Sequence, residues 1–210
     1  MEKINRKLHW EKIYSEKQFS EMSWYQKRPV ASLNFIKRFN LPKNPKIIDI
    51  GGGDSFFVDS LLNLGYKDIT VLDISETSLI KAQNRLGKER SKFIKWINAD
   101  VAEFKPDENY DLWHDRAAFH FLTGEPEIKK YIKTVKDHVK PDGYLLIGTF
   151  SEKGPEKCSG LKIKRYSENT MSERLVKFFN KIKCITVNHK TPFNTIQNFI
   201  FCSFQRLSSV

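Results

Sequence analysis

Long apolar runs are missing from this 210-residue chain: none approaches the ~20 residues that a membrane-spanning helix needs. That sets aside the helical membrane class. The opening Met1-Glu2-Lys3-Ile4-Asn5-Arg6-Lys7 is basic enough to begin a secretory leader, yet Leu8-His9-Trp10-Glu11-Lys12 stands where the apolar core of a leader belongs. A cytoplasmic protein is the expectation. Cysteine is scarce as well. Cys158, Cys184 and Cys202 are far apart and form no Cys-x-x-Cys pair, which argues against zinc knuckles and dithiol redox motifs and leaves buried thiols as the expected state. Histidine and the acids show no metal-site spacing, so no metal is expected. Internal repeats, low-complexity tracts and the recognition-helix, ribonucleoprotein and zinc-finger signatures are also absent.

What is present describes an ordinary globular chain. Forty per cent hydrophobic and 29% charged residues at this length suit one core, so residues 1–210 are expected to form a single domain. Acids are the minority charge, 25 against 36 basic residues, for a net +11. Such an excess raises nucleic acid as a partner. The lysines, however, are scattered along the chain rather than clustered, which favours a solvated surface; an RNA or acidic-protein footprint is the alternative. We expect a monomer or homodimer without a membrane partner, and nucleic acid is disfavoured.

Apolar runs alternate with helix-patterned stretches up to Phe150, which marks an α/β fold with a mostly parallel sheet covered on both faces. Strands are predicted over residues 46–51, 69–73, 93–98, 110–115 and 144–150, and helices over 55–64, 76–86 and 127–139. Gly65 and Gly87 supply helix stops, Ser75 an N-cap, and Pro141-Asp142-Gly143 the turn into the fifth strand. After Phe150 the rhythm changes to a polar loop ending at Gly160 and a helix over 167–180. Two β-rich stretches follow, 183–189 and 195–205, near enough to pair as an antiparallel hairpin at a sheet edge, with Pro192 and Phe193 at the join.

The densest information lies in Ile47-Ile48-Asp49-Ile50-Gly51-Gly52-Gly53-Asp54-Ser55, followed by Val71-Leu72-Asp73-Ile74. A buried strand runs into a glycine turn, and a second strand ends about 20 residues later on a carboxylate able to accept from both hydroxyls of a ribose. Gly51 and Gly53 permit backbone angles closed to other residues and a close ligand approach, and a helix should begin near Asp54. A dinucleotide and S-adenosylmethionine make opposite demands on such a turn. Pyrophosphate calls for the third glycine of Gly-x-Gly-x-x-Gly, absent here, and is repelled by Asp49 and Asp54. S-adenosylmethionine carries an ammonium, a sulfonium and no phosphate, so Asp49 suits its amino-acid end.

Taken together, these motifs resemble those of class I S-adenosylmethionine-dependent methyltransferases. The likeness covers Asp49 to Gly53, Asp73, Asn98-Ala99-Asp100-Val101, Tyr110-Asp111-Leu112-Trp113, and Leu145 to Phe150 after Pro-Asp-Gly, in order and spacing. It implies a Rossmann-like, doubly wound, mostly parallel seven-stranded sheet with an antiparallel C-terminal hairpin, with residues 1–40 as a helical cap on a core of 46–210. It also implies that Gly51 and Gly53 lie against the amino-acid portion of the cofactor, Asp73 holds the ribose, Ile74 packs on adenine, and Asp100 and the Val101 amide read its edge. An Asx-turn is the alternative for Asp100. Trp10-x-x-x-Tyr14 and Ser23-Trp24-Tyr25 resemble the opening of the elongation-factor and citrate-synthase lysine methyltransferase group, in which such aromatics fold over the cofactor. Docking of an N-terminal helix is the alternative for each of them.

Ligands of open α/β sheets sit outside the carboxyl ends of the strands, so Trp113-His114-Asp115-Arg116-Ala117-Ala118-Phe119-His120-Phe121 should border the methyl group. Asp115 and His120 are the candidate proton acceptors, with Arg116 fixing the carboxylate or binding an acidic substrate; His114 should pack along the cofactor. The alternative is a structural Asp115–Arg116 ion pair with a core histidine. Lys157-Cys158-Ser159-Gly160 offers a second wall. No Asn/Asp-Pro-Pro-Tyr/Phe follows the fourth strand and no Pro-Cys nucleophile occurs, which disfavours adenine-N6, glutamine and cytosine methylation. Magnesium ligands of a catechol-type mechanism are likewise missing. Asp115-Arg116-Ala117 is similar to the Asp-Arg-Gly segment of thiopurine-type S-methyltransferases, which implies a small-molecule acceptor, a thiol. A protein-lysine methyltransferase is the second expectation, and a non-catalytic RNA-binding module that keeps the fold is the third.

Overall fold

The computed structural model describes residues 5–208. Helix α1 (Arg6–Glu16) and a short 3-10 turn lead to α2 (Val30–Ile36), after which strands and helices alternate: β1 (Lys46–Ile50), α3 (Phe57–Asn63), β2 (Asp68–Asp73), α4 (Glu76–Ser91), β3 (Ile94–Asn98), β4 (Tyr110–Arg116), α5 (Glu125–His138) and β5 (Val139–Phe150). A two-residue ribbon, β6 (Lys157–Cys158) and β7 (Leu161–Lys162), precedes α6 (Glu168–Leu175), β8 (Phe179–Lys190) and β9 (Ile196–Arg206). The seven-stranded sheet has the order β3-β2-β1-β4-β5-β9-β8, with β9 antiparallel to both neighbours. This is the Rossmann-like, mostly parallel sheet with a C-terminal antiparallel hairpin that the sequence predicts.

Alternation along each strand decides which layer a side chain joins. Ile48 and Ile50 enter a core under α5 and α6, whereas Ile47 enters one under α2, α3 and α4. Both faces are therefore covered, which is why Ile47, Ile48 and Ile50 of β1 are all apolar and fully buried although they face opposite layers. A smaller third cluster of Trp10, Tyr14, Phe19, Met22 and Leu161 forms beside these two. No helix among the described residues is long and apolar enough to cross a membrane.

Where element boundaries differ from expectation, packing explains the difference. α5 starts at Glu125, because Pro126 fits the first helical turn, where no N–H bond is lost. α4 meets Gly87 at φ +73°, breaking there as predicted, and then resumes helical hydrogen bonding to Ser91. α6 ends at Leu175 rather than Asn180: Phe179 is buried as the first residue of β8, opposite Arg206, and strand pairing overrides the helical pattern. β5 begins at Val139 because that residue already pairs with Tyr110. Pro141-Asp142-Gly143 then forms an irregularity in the ladder, with Asp142 at φ +61°. The cysteine expectation needs correction too. Cys184 and Cys202 stand opposite each other in the β8–β9 register and are joined by a disulfide, leaving Cys158 as the free, buried thiol. Their separation in sequence carried no hint, since the pairing depends on strand register.

Candidate active site

The chain leaves β1 toward one face of the sheet and leaves its neighbour β4 toward the other, so a crevice opens at their carboxyl ends. It holds about 790 Å³ of empty space, mouth included.

The glycine turn brings main chain against this space. Gly51 (φ +65°) and Gly53 (φ +46°) are both left-handed. A Cβ on Gly53 would stand 2.8 Å from Tyr14 Oη and 2.9 Å from Asp73 Oδ2, so only glycine lets those two side chains pack against the turn. The predicted helix start near Asp54 is displaced, since α3 begins at Phe57. Asp54 does not bracket the crevice either; its carboxylate pairs with Arg85.

Asp73, at the tip of β2, is 5% exposed and lines the crevice. Its Oδ1 accepts from the Ser75 amide at 2.8 Å, and the Ser78 hydroxyl also supports the carboxylate. Burial, with Asp49 and Glu11 nearby, pushes its carboxyl up to about 7. Asn98 Nδ2 donates to the Asp73 and Ile74 carbonyls and fixes the strand end. Ile74, Ala99, Asp100 and Val101 continue the wall. Asp100 makes the Asx-type bond, Oδ1 accepting from Ala102 N at 2.9 Å, while Oδ2 pairs with Arg6 Nε at 3.2 Å. Arg6, which also lines the crevice, gave no signal in the sequence.

Strand alternation sorts the polar run after Trp113. His114 is the register partner of Asp49 and shares its face, with Nδ1 2.6 Å from Asp49 Oδ1, Nε2 2.9 Å from Ser32 Oγ, and its ring stacked on Phe57. Two residues on, Arg116 shares that face too. Asp49, His114 and Arg116 thus enclose a narrow recess running inward from Gly51. Arg116 donates to the Trp24 carbonyl at 2.7 Å, pairs with no carboxylate of the described residues, and keeps its Nε out of solvent without a partner. Burial lowers this guanidinium to about 10.

Asp115 points the other way. It is fully buried, outside the crevice, with Oδ1 accepting from the Ala118 and Phe119 amides at 3.1 and 3.0 Å and Oδ2 from Tyr131 Oη at 2.7 Å. Those amides hold a turn in which Ala117 adopts φ +65°, a left-handed strain of roughly 1–2 kcal/mol. Ala117 and Ala118 in turn line the crevice. His120 is also fully buried off the crevice, between Phe121 and Phe150, with both ring nitrogens unpartnered and burial holding it down at about 3. Neither expected proton acceptor is where the sequence reading put it, and no Asp115–Arg116 ion pair forms.

Trp10 and Tyr14 from α1 and Trp24 from the following loop close the crevice from above, with centroids 5.8 Å (Trp10–Trp24) and 6.4 Å (Tyr14–Trp24) apart. α1 is clasped in place because Glu11 accepts from Ser75 Oγ and the Glu76 and Thr77 amides at the start of α4, a favourable place for a carboxylate. The far wall is Phe121, Leu122, Phe150 and Phe199, with Cys158 among them. Burial pushes the Cys158 thiol up to about 12.

Comparison with known proteins agrees with this geometry. A family described as a methyltransferase domain matches residues 48–145, which hold the glycine turn, Asp73 and Asp100. Malonyl-[acyl-carrier protein] O-methyltransferase of Bacillus anthracis is 27% identical over 130 residues, 60% of this chain and 46% of that protein. EEF1A lysine methyltransferase 2 of Danio rerio is 24% identical over 162 residues, 69% of this chain and 68% of its own. The N-methyltransferase NodS from Bradyrhizobium japonicum WM9, solved with S-adenosyl-L-homocysteine, shares the fold at a TM-score of 0.71 and 15% identity, covering 93% of this chain and 97% of that one. The matched domain, these relatives and the shared fold make the chain similar to class I S-adenosylmethionine-dependent methyltransferases. It spans from about half to two thirds of the length of the two curated relatives named.

S-adenosylmethionine is the cofactor of such a methyltransferase, and the residues present fit it. Gly51 brings main chain to the crevice, Asp73 stands at its wall as an acceptor, and Arg116 is a cation without a carboxylate partner among the described residues.

Proposed function

We propose that this methyltransferase transfers a methyl group to a small, predominantly apolar acceptor, a thiol. The observation that supports it is the far wall: Phe121, Leu122, Phe150, Phe199 and a buried Cys158 thiol, without carboxylate or imidazole. A lysine ammonium, with an ordinary pKa near ~10.4, must be stripped of a proton before it attacks, whereas a thiol near ~8.5 supplies its thiolate unaided. A wall without a base suits the thiol. When bound, the cofactor supplies the electrophilic methyl group, and the protein's task is to align the nucleophile and exclude water.

In this reading Asp73 takes the ribose, Ile74 packs on adenine, and Asp100 and the Val101 amide meet its edge. Asp49 receives the ammonium. Arg116 receives the α-carboxylate, because it shares the recess with Asp49, and so replaces the acidic-substrate role. Trp10, Tyr14 and Trp24 cover the sulfonium, a contact of about 0.5–2 kcal/mol. His114 positions Asp49 rather than packing along the cofactor, Asp115 positions the Ala117 turn, and His120 packs. The N-terminal aromatics and the Danio rerio relative favour protein lysine as the second reading. Incubation with methyl-labelled cofactor, a panel of small thiols and a cell extract separates the two. Labelled thioether products are expected; label confined to polypeptides would overturn the thiol reading.

A further inference from the structure

The net charge of the chain is unevenly placed. Residues 22–48 and 174–210 contain no aspartate or glutamate, yet hold twelve of the 36 lysines and arginines. The remainder, 24 basic against 25 acidic residues, is close to neutral, so these two segments account for the whole +11. A search for clustered lysines misses this, because the signal lies in the missing acids.

The fold brings the two segments side by side. His189 of β8 donates through Nε2 to the Ser23 carbonyl at 2.8 Å and takes Gln26 Nε2 at 3.2 Å on Nδ1, pinning the loop that carries Trp24 against the hairpin. Between α2 with its preceding loop and β8 runs an open groove. Its floor is apolar: Tyr25, Val30 (50% exposed), Ile185, Val187 and Pro192. Its rim is Lys27, Arg28 and Lys190, all exposed and without a carboxylate partner among the described residues. By alternation Lys183 shares the face of Ile185 and Val187. Three basic residues of the same segments that lie away from the groove are paired, Lys46 with Glu108, Lys181 with Glu168 and Arg174 with Glu125. β8 is also the last strand of the sheet, twelve residues long, and its outer edge pairs with no strand among the described residues.

We propose that this groove docks an acidic, extended polypeptide segment that adds a strand to the outer edge of β8. The free edge supplies main-chain hydrogen bonds, the apolar floor takes alternate side chains, and the unpaired cations meet the carboxylates between them. Lysines alone would serve to keep an edge strand solvated. The apolar floor beside them and the absence of acids from both segments go beyond that need. Nucleic acid fits less well, since single strands bind on stacked aromatic platforms and the rings lining this groove are Tyr25 and a buried His189. The proposal concerns a surface away from the crevice and does not depend on which acceptor is methylated.

The test is fluorescence anisotropy with a labelled decapeptide of alternating glutamate and valine, against a lysine–valine decapeptide, a single-stranded RNA 20-mer and phosphatidylserine vesicles. Saturable binding of the glutamate–valine peptide is expected. It should weaken at least about tenfold in Lys27→Glu/Arg28→Glu/Lys190→Glu and fall steeply between 50 and 300 mM salt, while affinity for S-adenosylhomocysteine is unchanged. The milder Lys27→Gln/Lys190→Gln gives a smaller loss in a protein whose fold is checked by its melting temperature. Hydrogen exchange should slow at alternate β8 amides when the peptide is bound. Undiminished binding by the reversed variant, or RNA or vesicles displacing the peptide from the same face, would overturn the proposal.

Discussion

The half of the crevice at the glycine turn is ionic, with Asp49, Asp73 and Arg116 around it, whereas the half toward β5 and β9 presents Phe121, Leu122, Phe150 and Phe199. The contrast teaches where each kind of recognition resides. The ionic half comes from the ends of adjacent parallel strands, where one or two residues per strand suffice. The apolar half is assembled from a 3-10 turn, the end of β5 and the hairpin strand β9, over a span from Phe119 to Phe199. The first half fits a zwitterionic nucleoside; the second fits whatever small body attacks it.

Breaking the ionic half at its least compensated charge should have the largest effect. Arg116→Met is expected to weaken S-adenosylhomocysteine by about 2–5 kcal/mol in calorimetry. It should leave the cofactor-free melting temperature nearly unchanged, because no protein carboxylate loses its partner. A large drop in melting temperature with intact affinity would make Arg116 structural and erase the contrast.

Asp73→Asn should follow, at about 1.5–3 kcal/mol of binding, the usual worth of hydrogen bonds to a charged acceptor. The carboxyl sits at about 7 in the cofactor-free protein, so affinity should hold above pH 7 and fall about tenfold per unit below it, a slope the Asn variant lacks. The stability of the cofactor-free protein runs the opposite way. With its folded value raised above the ordinary 3.8, Asp73 binds its proton longer when folded, so its contribution is full at about pH 4 and lost as pH rises through 7. Melts of wild type and Asp73→Asn across pH 4–8 check the sign.

Trp24→Leu should cost about 0.5–2 kcal/mol for the sulfonium cofactor and less for the neutral demethylated product, which separates cation–π attraction from simple cover. Asp115→Asn sharpens the comparison from the other side. It should change cofactor affinity by less than about threefold while lowering the melting temperature, because Asp115 lies outside the crevice and holds the strained Ala117 turn through its hydrogen bonds.

How much of this was legible in the sequence follows the same division. The mostly parallel α/β sheet with its C-terminal hairpin, and the placing of Gly51, Asp73, Asp100 and the N-terminal aromatics along one crevice, could be read because each depends on a few neighbouring residues. The run from His114 to His120 is contiguous in sequence but forms no single wall, because successive strand residues face opposite layers. Pairing Asp49 with His114 across β1 and β4 would have sent Asp115 to the other face. Arg6, Ser32, Phe150 and Phe199 reach their places only through tertiary contacts, and the Cys184–Cys202 bond only through strand register.

The most direct test of the ionic recess is calorimetry of S-adenosylhomocysteine against 5′-methylthioadenosine, which keeps the adenosine and sulfur but lacks the amino and carboxylate groups. If Asp49 and Arg116 each hold one of those charges at about 1.5–3 kcal/mol, S-adenosylhomocysteine should bind at least about 100-fold more tightly. Equal affinities would mean that the recess does not read the amino-acid end, and the assignment of Asp49 and Arg116 would be wrong.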